Sequence, residues 1–153
     1  MNGKNRRHEE IYMKISTKGR YALRLMLDLA DHNTGIPVSL KDTAQRQEIS
    51  EKYLEQIISL LNKAGFVRSV RGAQGGYLLT RRPEEYTAGE ILRLTEGDLA
   101  PVGCVGEKPE ECGRRKECVT AIIWEKILEA VNGVVDQVTL ADMIGWQERI
   151  REN

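Results

Sequence analysis

Apolar positions along this chain fall into helical stripes cut by glycine, proline and capping residues, with one short stretch that is extended instead. Leu23, Leu25, Met26, Leu27, Leu29 and Ala30 follow Tyr21 and Ala22 at helical spacing, and Asn33, Thr34, Gly35 and Pro37 end the run. That predicts a first helix over about 17 to 31. Ser39 and Asp42 read as a capping box opening a second helix to about Gln47. After a tight link at 48–50, Ser50 caps a third helix. In it Tyr53, Leu54, Ile57, Ile58, Leu61 and Ala64 share one side, and Gly65 supplies the stop. Residues 66–70 and 77–80 are short extended runs joined by a glycine-rich tip from Arg71 to Gly76, which predicts a hairpin. Pro83 ends it, and Thr87 with Glu90 caps a fourth helix that stops at Gly97. Residues 98–118 carry no period. Beyond them Val119, Ile122, Ile123, Trp124, Ile127, Leu128, Val131, Val134, Val135 and Val138 predict a long apolar helix with a break at Gly133. Thr139 and Asp142 cap a last short helix.

Three helices followed by a two-stranded hairpin is the order of a winged helix-turn-helix, so the expected fold is mainly α with a small β-hairpin. In that arrangement the helix from Ser50 to Ala64 enters the major groove. Its N-terminal residues Ser50, Glu51, Lys52, Tyr53, Glu55 and Gln56 are placed to meet base edges and phosphates; Glu55 suits a cytosine amino group and Gln56 an adenine. A plainer reading packs Tyr53 into the core and leaves Glu51, Lys52 and Glu55 as solvated helical pairs. In the hairpin tip, Gly72, Gly75 and Gly76 let the backbone approach a duplex, and Arg71 suits the negative potential of a narrow minor groove. The tip does not read as a phosphate-binding loop of an enzyme, because it lacks the lysine and hydroxyl of a P-loop and opens no helix.

Charge sharpens this picture. The 153-residue chain has no formal net charge, yet residues 1–82 hold 15 Lys/Arg against 8 Asp/Glu, and residues 83–153 hold 8 against 15. The halves therefore carry +7 and −7, and the N-terminal half is suited to a polyanion. No apolar run approaches the roughly 18 residues of a membrane span, and the first dozen residues lack the apolar stretch of a signal peptide, so a cytoplasmic protein is expected. The two histidines, His8 and His32, lie far from any nucleophile and base, and no enzyme is expected.

The three cysteines, Cys104, Cys112 and Cys118, lie together in the aperiodic stretch, separated by seven and then five residues. In a reducing compartment such a trio reads as metal ligands or redox thiols rather than disulfides. Thiolates suit iron–sulfur clusters or zinc, and Gly103, Gly106, Pro109 and Gly113 let the backbone turn around a small inorganic core. A tetrahedral zinc site or bare thiol oxidation are the rival chemistries, although the close Cys-x-x-Cys pair usual for zinc is missing.

The segments running from Lys14 to Leu23, Ile49 to Gln56 and Val70 to Leu79 closely resemble the bacterial winged-helix regulators that include IscR, NsrR and CymR. The resemblance covers about Met13 to Trp146. It implies a homodimer on a pseudo-palindromic double-stranded operator, with the helix at 119–135 crossing its partner. The apolar surplus of that helix asks for a partner surface on its own account. By the same resemblance Ser50, Lys52, Tyr53, Glu55 and Gln56 match the recognition-helix contact region. Arg71 matches the wing residue that reaches the minor groove, and the acid at Glu55 bears on discrimination between sites. Residues 1–12 are expected to be an unstructured extension, with Met13 a candidate native start. Residues 13–82 form the DNA-binding domain, 83–118 the linking helix and cysteine loop, and 119–153 the dimerisation and C-terminal helices.

The cysteine triad resembles that of IscR-like and NsrR-like members and implies an iron–sulfur cluster, of the 2Fe-2S type, on Cys104, Cys112 and Cys118. CymR-like members, regulators of sulfur and cysteine metabolism, lack the triad. The chain departs from the IscR-like pattern in a longer first gap and in Ala121, which stands where those members carry a histidine. The position of the acidic ligand in NsrR-like members is Arg20 here. The fourth ligand is left open among Asp98, Glu107, Glu110, Glu111, Glu117, His32, a partner residue and an external thiol.

Overall fold

The computed structural model describes residues 14–153, and the expectation for residues 1–12 falls outside them. The described residues form α1 (Thr17–Asp31), α2 (Leu40–Gln47), α3 (Glu51–Lys63), β1 (Val67–Val70), β2 (Gly76–Leu79), α4 (Ala88–Glu96), α5 (Thr120–Val135) and α6 (Leu140–Arg151). Single 3-10 turns occur at Pro83–Glu85 and Arg115–Glu117. This is the expected mainly helical fold with one hairpin.

The starts of α1 to α4 and of α6 sit where hydroxyl residues end the extended backbone before them. Ser39 accepts from the Asp42 amide at 3.1 Å and Ser50 from the Tyr53 amide at 3.2 Å. Thr87 with Glu90 and Thr139 with Asp142 close reciprocal capping boxes, each worth about 1 kcal/mol. The stripes then bury one face. Leu25, Met26 and Leu29 of α1 meet Leu54, Ile57, Ile58 and Leu61 of α3, with Val67, Tyr86, Ile91 and Leu140 completing the cluster. Burial of each large side chain contributes roughly 1.5–3 kcal/mol, so this cluster dominates the fold's stability.

The strands pair antiparallel from Val67 with Leu79 to Val70 with Gly76. Val38, just before α2, adds a rung by exchanging both backbone hydrogen bonds with Tyr77, at 3.0 and 2.8 Å. A side chain on Gly76 would strike the Val38 backbone, which is why the hairpin needs a glycine there.

Two elements differ from expectation. α5 runs unbroken through Gly133. Arg93 of α4 donates to Asn132 Oδ1 at 2.7 Å and to Asp136 Oδ2 at 3.0 Å, bridging the helical turn that contains the glycine and offsetting its entropic cost. α6 is a 12-residue helix rather than a short one. Gln147 and Arg151 bond Asp31 at 2.8 and 2.9 Å, holding the last turns of α6 to the end of α1.

Candidate nucleic-acid interface and cysteine loop

The link between α2 and α3 turns on Glu48, the one non-glycine residue with positive φ among those described (φ 54°). Left-handed backbone disfavours a Cβ, so neighbouring contacts must hold it. They do so from both sides. Arg24 of α1 donates to the Gln47 carbonyl and to Gln47 Oε1, and its guanidinium lies 5.4 Å from the Tyr21 ring centre. Tyr21 meets Tyr53 edge-on, with ring centres 5.6 Å apart. The start of α3 is therefore fixed to α1 through an arginine and two tyrosines.

Beneath this turn Asp28, 3% exposed, accepts from Thr43 (2.8 Å), twice from Arg46 (3.0 and 2.7 Å) and from Gln47 (3.1 Å). Burial alone pushes its carboxyl up. The hydrogen bonds from Arg46, Gln47 and Thr43, with the charge of Arg46, outweigh that and hold it below the usual carboxylate range. Sequence reasoning missed Asp28, Arg46 and Arg24.

Of the recognition-helix candidates, Ser50, Glu51, Lys52, Glu55 and Gln56 are exposed. The Ser50 hydroxyl accepts from the Tyr53 amide, and its own proton stays available to donate. Tyr53 is half-buried at the margin of the core, edge-on against Tyr21. In the wing, Arg71, Gly72, Ala73 and Gln74 are exposed. Gly72 sits at φ 114° and accepts the Gly75 amide at 3.0 Å, and a side chain on Gly75 would meet the Val70 and Gly72 carbonyls. The tip is shaped by its glycines and presents Arg71 outward.

The cysteine loop leaves the end of α4 and returns at the start of α5. Asp98 organises its first part, accepting the Ala100 amide at 2.9 Å and the Glu107 amide at 2.8 Å. Cys104 and Cys118 are half-buried, Cys112 is exposed, and all three thiols are free. Cys118 Sγ lies 3.2 Å from Thr120 Oγ1. That hydroxyl, the Ala121 and Thr120 amides and the charge of Arg114 favour the thiolate and lower the Cys118 pKa. Arg115 is paired with Glu125 of α5, and that carboxylate holds its guanidinium above the usual range.

The donors suit a cluster or zinc in kind, and in this conformation they are not gathered around one point. Among the described residues no group of three or more His, Cys, Asp or Glu side chains is close enough to hold a metal ion. Several of the open fourth-ligand candidates have other partners or positions in this conformation. Asp98 has both carboxylate oxygens engaged by backbone amides. Ser16, at the start of α1, touches Glu96 beside the loop, whereas His32 caps the far end of this 15-residue helix, about 24 Å away at 1.5 Å per residue. Ala121, at the position of the IscR-like histidine, is fully buried and carries no donor.

No helix of the described residues is long and apolar enough to cross a membrane. Residues 15–145 match the family described as Rrf2, iron-dependent transcriptional regulator. The chain is 44% identical over 140 residues to the HTH-type transcriptional regulator CymR of Bacillus subtilis, covering 92% of this chain and 96% of that one. It is 38% identical over 136 residues to the regulator IscR of Serratia proteamaculans, covering 89% and 82%. Among solved structures, T. potens IscR superposes with a TM-score of 0.73 at 44% identity, covering 90% of each chain. The helix-turn-helix carried on α1, the glycine wing and these likenesses over nearly the whole length agree, and the chain belongs to the Rrf2 family of DNA-binding transcriptional regulators.

Proposed function

We propose that the protein is a homodimeric regulator of the IscR type. In this reading α3 and the wing hold a pseudo-palindromic operator, and Cys104, Cys112 and Cys118 bind an iron–sulfur cluster, of the 2Fe-2S type. The observation that carries it is the presence of all three cysteines on one loop between α4 and α5, in a family described as iron-dependent. Ser50, Lys52, Glu55 and Gln56 act from the exposed start of α3, Tyr53 orients that helix through Tyr21, and Arg71 enters the minor groove where Gly72 and Gly75 let the wing backbone come close.

A change in the loop has a route to the DNA-binding half. The loop hangs between α4, whose Arg93 grips α5 and whose Glu96 bonds Ser16 of α1, and Arg115, which pairs with Glu125 of α5. Conformational change in the loop thus bears on the relative placement of the elements that carry the two halves of the dimer.

A second reading, thiol-based sensing in the manner of a regulator of sulfur metabolism, draws on the separated free thiols and on the lowered pKa of Cys118. The likeness to CymR supports it as well. One preparation separates the readings. Protein reconstituted without air with ferrous iron and sulfide should take on visible absorbance, with iron and sulfide in equal amounts, and Cys112→Ala should abolish both. Colourless protein with stoichiometric zinc moves the site to zinc. Absence of either metal, with DNA binding lost on peroxide treatment and restored by a thiol, moves it to redox chemistry.

A further inference from the structure

The hairpin's open end is closed by a side chain from outside it. Tyr86, fully buried in the segment between the wing and α4, donates its hydroxyl proton to the Phe66 carbonyl at 2.6 Å and accepts the amides of Thr80 and Arg81 at 3.0 Å each. Phe66 immediately precedes β1, and Thr80 immediately follows β2. The direct rung between them is stretched to 3.4 Å, so the phenol stands in for the last rung of the ladder. On the same junction the Thr80 hydroxyl donates to the Gly65 carbonyl at 2.6 Å, fastening the end of the wing to the turn that closes α3. Arg81 covers the arrangement. Its guanidinium lies 4.2 Å from the Tyr86 ring centre and 5.2 Å from that of Phe66, and it bonds the Glu85 carbonyl at 2.9 Å and Glu90 of α4 at 3.2 Å.

We infer that the Tyr86 hydroxyl, clamped under Arg81, is the positioning group that sets the wing relative to the recognition helix and so determines how well the wing meets DNA. A buried tyrosine needs one partner to be satisfied. This one engages three backbone groups, on both ends of the hairpin. A phenylalanine would fill the same space but leave the Arg81 amide without its acceptor and the Thr80 amide with only the stretched 3.4 Å rung, loosening the base of the hairpin beside Gly65. Tyr86 touches no DNA and acts through Arg71 at the far end of the hairpin. The inference rests on the wing being a DNA-contacting element, and its test keeps the two apart.

The probe is a duplex enriched from a random-sequence pool by the native protein, with binding read by fluorescence anisotropy. Arg71→Ala should weaken binding about tenfold, and Tyr86→Phe about threefold to tenfold. In the Tyr86→Phe background the added cost of Arg71→Ala should shrink to about twofold, the non-additivity expected of groups acting on one contact. Amide hydrogen exchange at Thr80 and Arg81 should accelerate while that of α3 does not. Native-like binding by Tyr86→Phe, or a full tenfold cost of Arg71→Ala in both backgrounds, overturns the inference and leaves the wing reading standing. An Arg71→Ala protein that binds like the native one removes the wing reading and the inference with it. Should Tyr86→Phe fail to fold, Thr80→Val releases the same junction from an exposed position, with the same loss of coupling expected and unchanged coupling overturning the idea.

Discussion

Asp28 shows how much of this domain rests on one carboxylate. It sits between Leu27 and Leu29 in an apolar stripe, and its partners lie on α2, so no local pattern marks it as more than a helical surface acid. Once buried it holds Thr43, Arg46 and Gln47 together and thereby fixes α2 under the recognition helix. Asp28→Asn leaves Arg46 without its counter-charge and should destabilise the protein by about 2–3 kcal/mol, discounted because Arg46 is partly exposed. Denaturant unfolding at neutral pH measures this. Because the folded-state pKa of Asp28 is depressed, its stabilisation is fully present above the unfolded carboxylate value of about 4 and is lost as pH falls through the lower folded value. The difference between native protein and Asp28→Asn should therefore narrow below pH of about 4. Tyr86 was equally hidden, since its role depends on backbone groups at Phe66, Thr80 and Arg81 that only the fold brings to it.

Elements were the most legible scale, because stripes and caps are local. The boundaries of α1 to α4 and of the hairpin follow from Ser39, Ser50 and Thr87 as caps, from the glycine stops and from the apolar faces. α5 and α6 were less so. Gly133 looks like a break in the sequence and α6 like a short helix, while Arg93, Gln147 and Arg151 hold those helices from elsewhere. The cysteine loop has no period to read, and its Asp98 cap emerges only in three dimensions. Recognition helix and wing should also divide their labour. Glu55 lies on an exposed helical face suited to base edges, and Arg71 on a tip suited to the backbone and groove. Glu55→Ala should change affinity for the selected duplex less than threefold or so while narrowing the gap to single-mismatch duplexes, whereas Arg71→Ala should weaken matched and mismatched sites alike. Parallel titrations on both duplex sets check this, and identical profiles for the two variants would contradict it.

At the scale of the whole fold, an apolar surface lies open among the described residues. Val119, just before α5, and Ile122, Ile123 and Val134 of α5 are 51–76% exposed, and α5 packs on the rest of the described chain chiefly through α4. Monomers rarely leave such a stripe to water, and under the proposed function a second copy of the same helix is its self-complementary cover, pairing two recognition helices for a palindrome. Ile122→Glu combined with Ile123→Glu should convert a dimer to a monomer in sedimentation velocity and lower duplex affinity by roughly a hundredfold, since each half-site is then held alone.

The end of α4 is also tied to the start of α1. Ser16 bonds Glu96 through both its amide and its hydroxyl, and Gly19 lies so close to the same carboxylate that any side chain there would collide with it. The first turn of the leading helix is thus moored to the doorstep of the sulfur-bearing segment. A solvent-exchange reporter on the Ser16 amide would register rearrangement of that segment in a protein with no DNA present, and a bulky graft at Gly19 would cut the mooring while sparing every thiol.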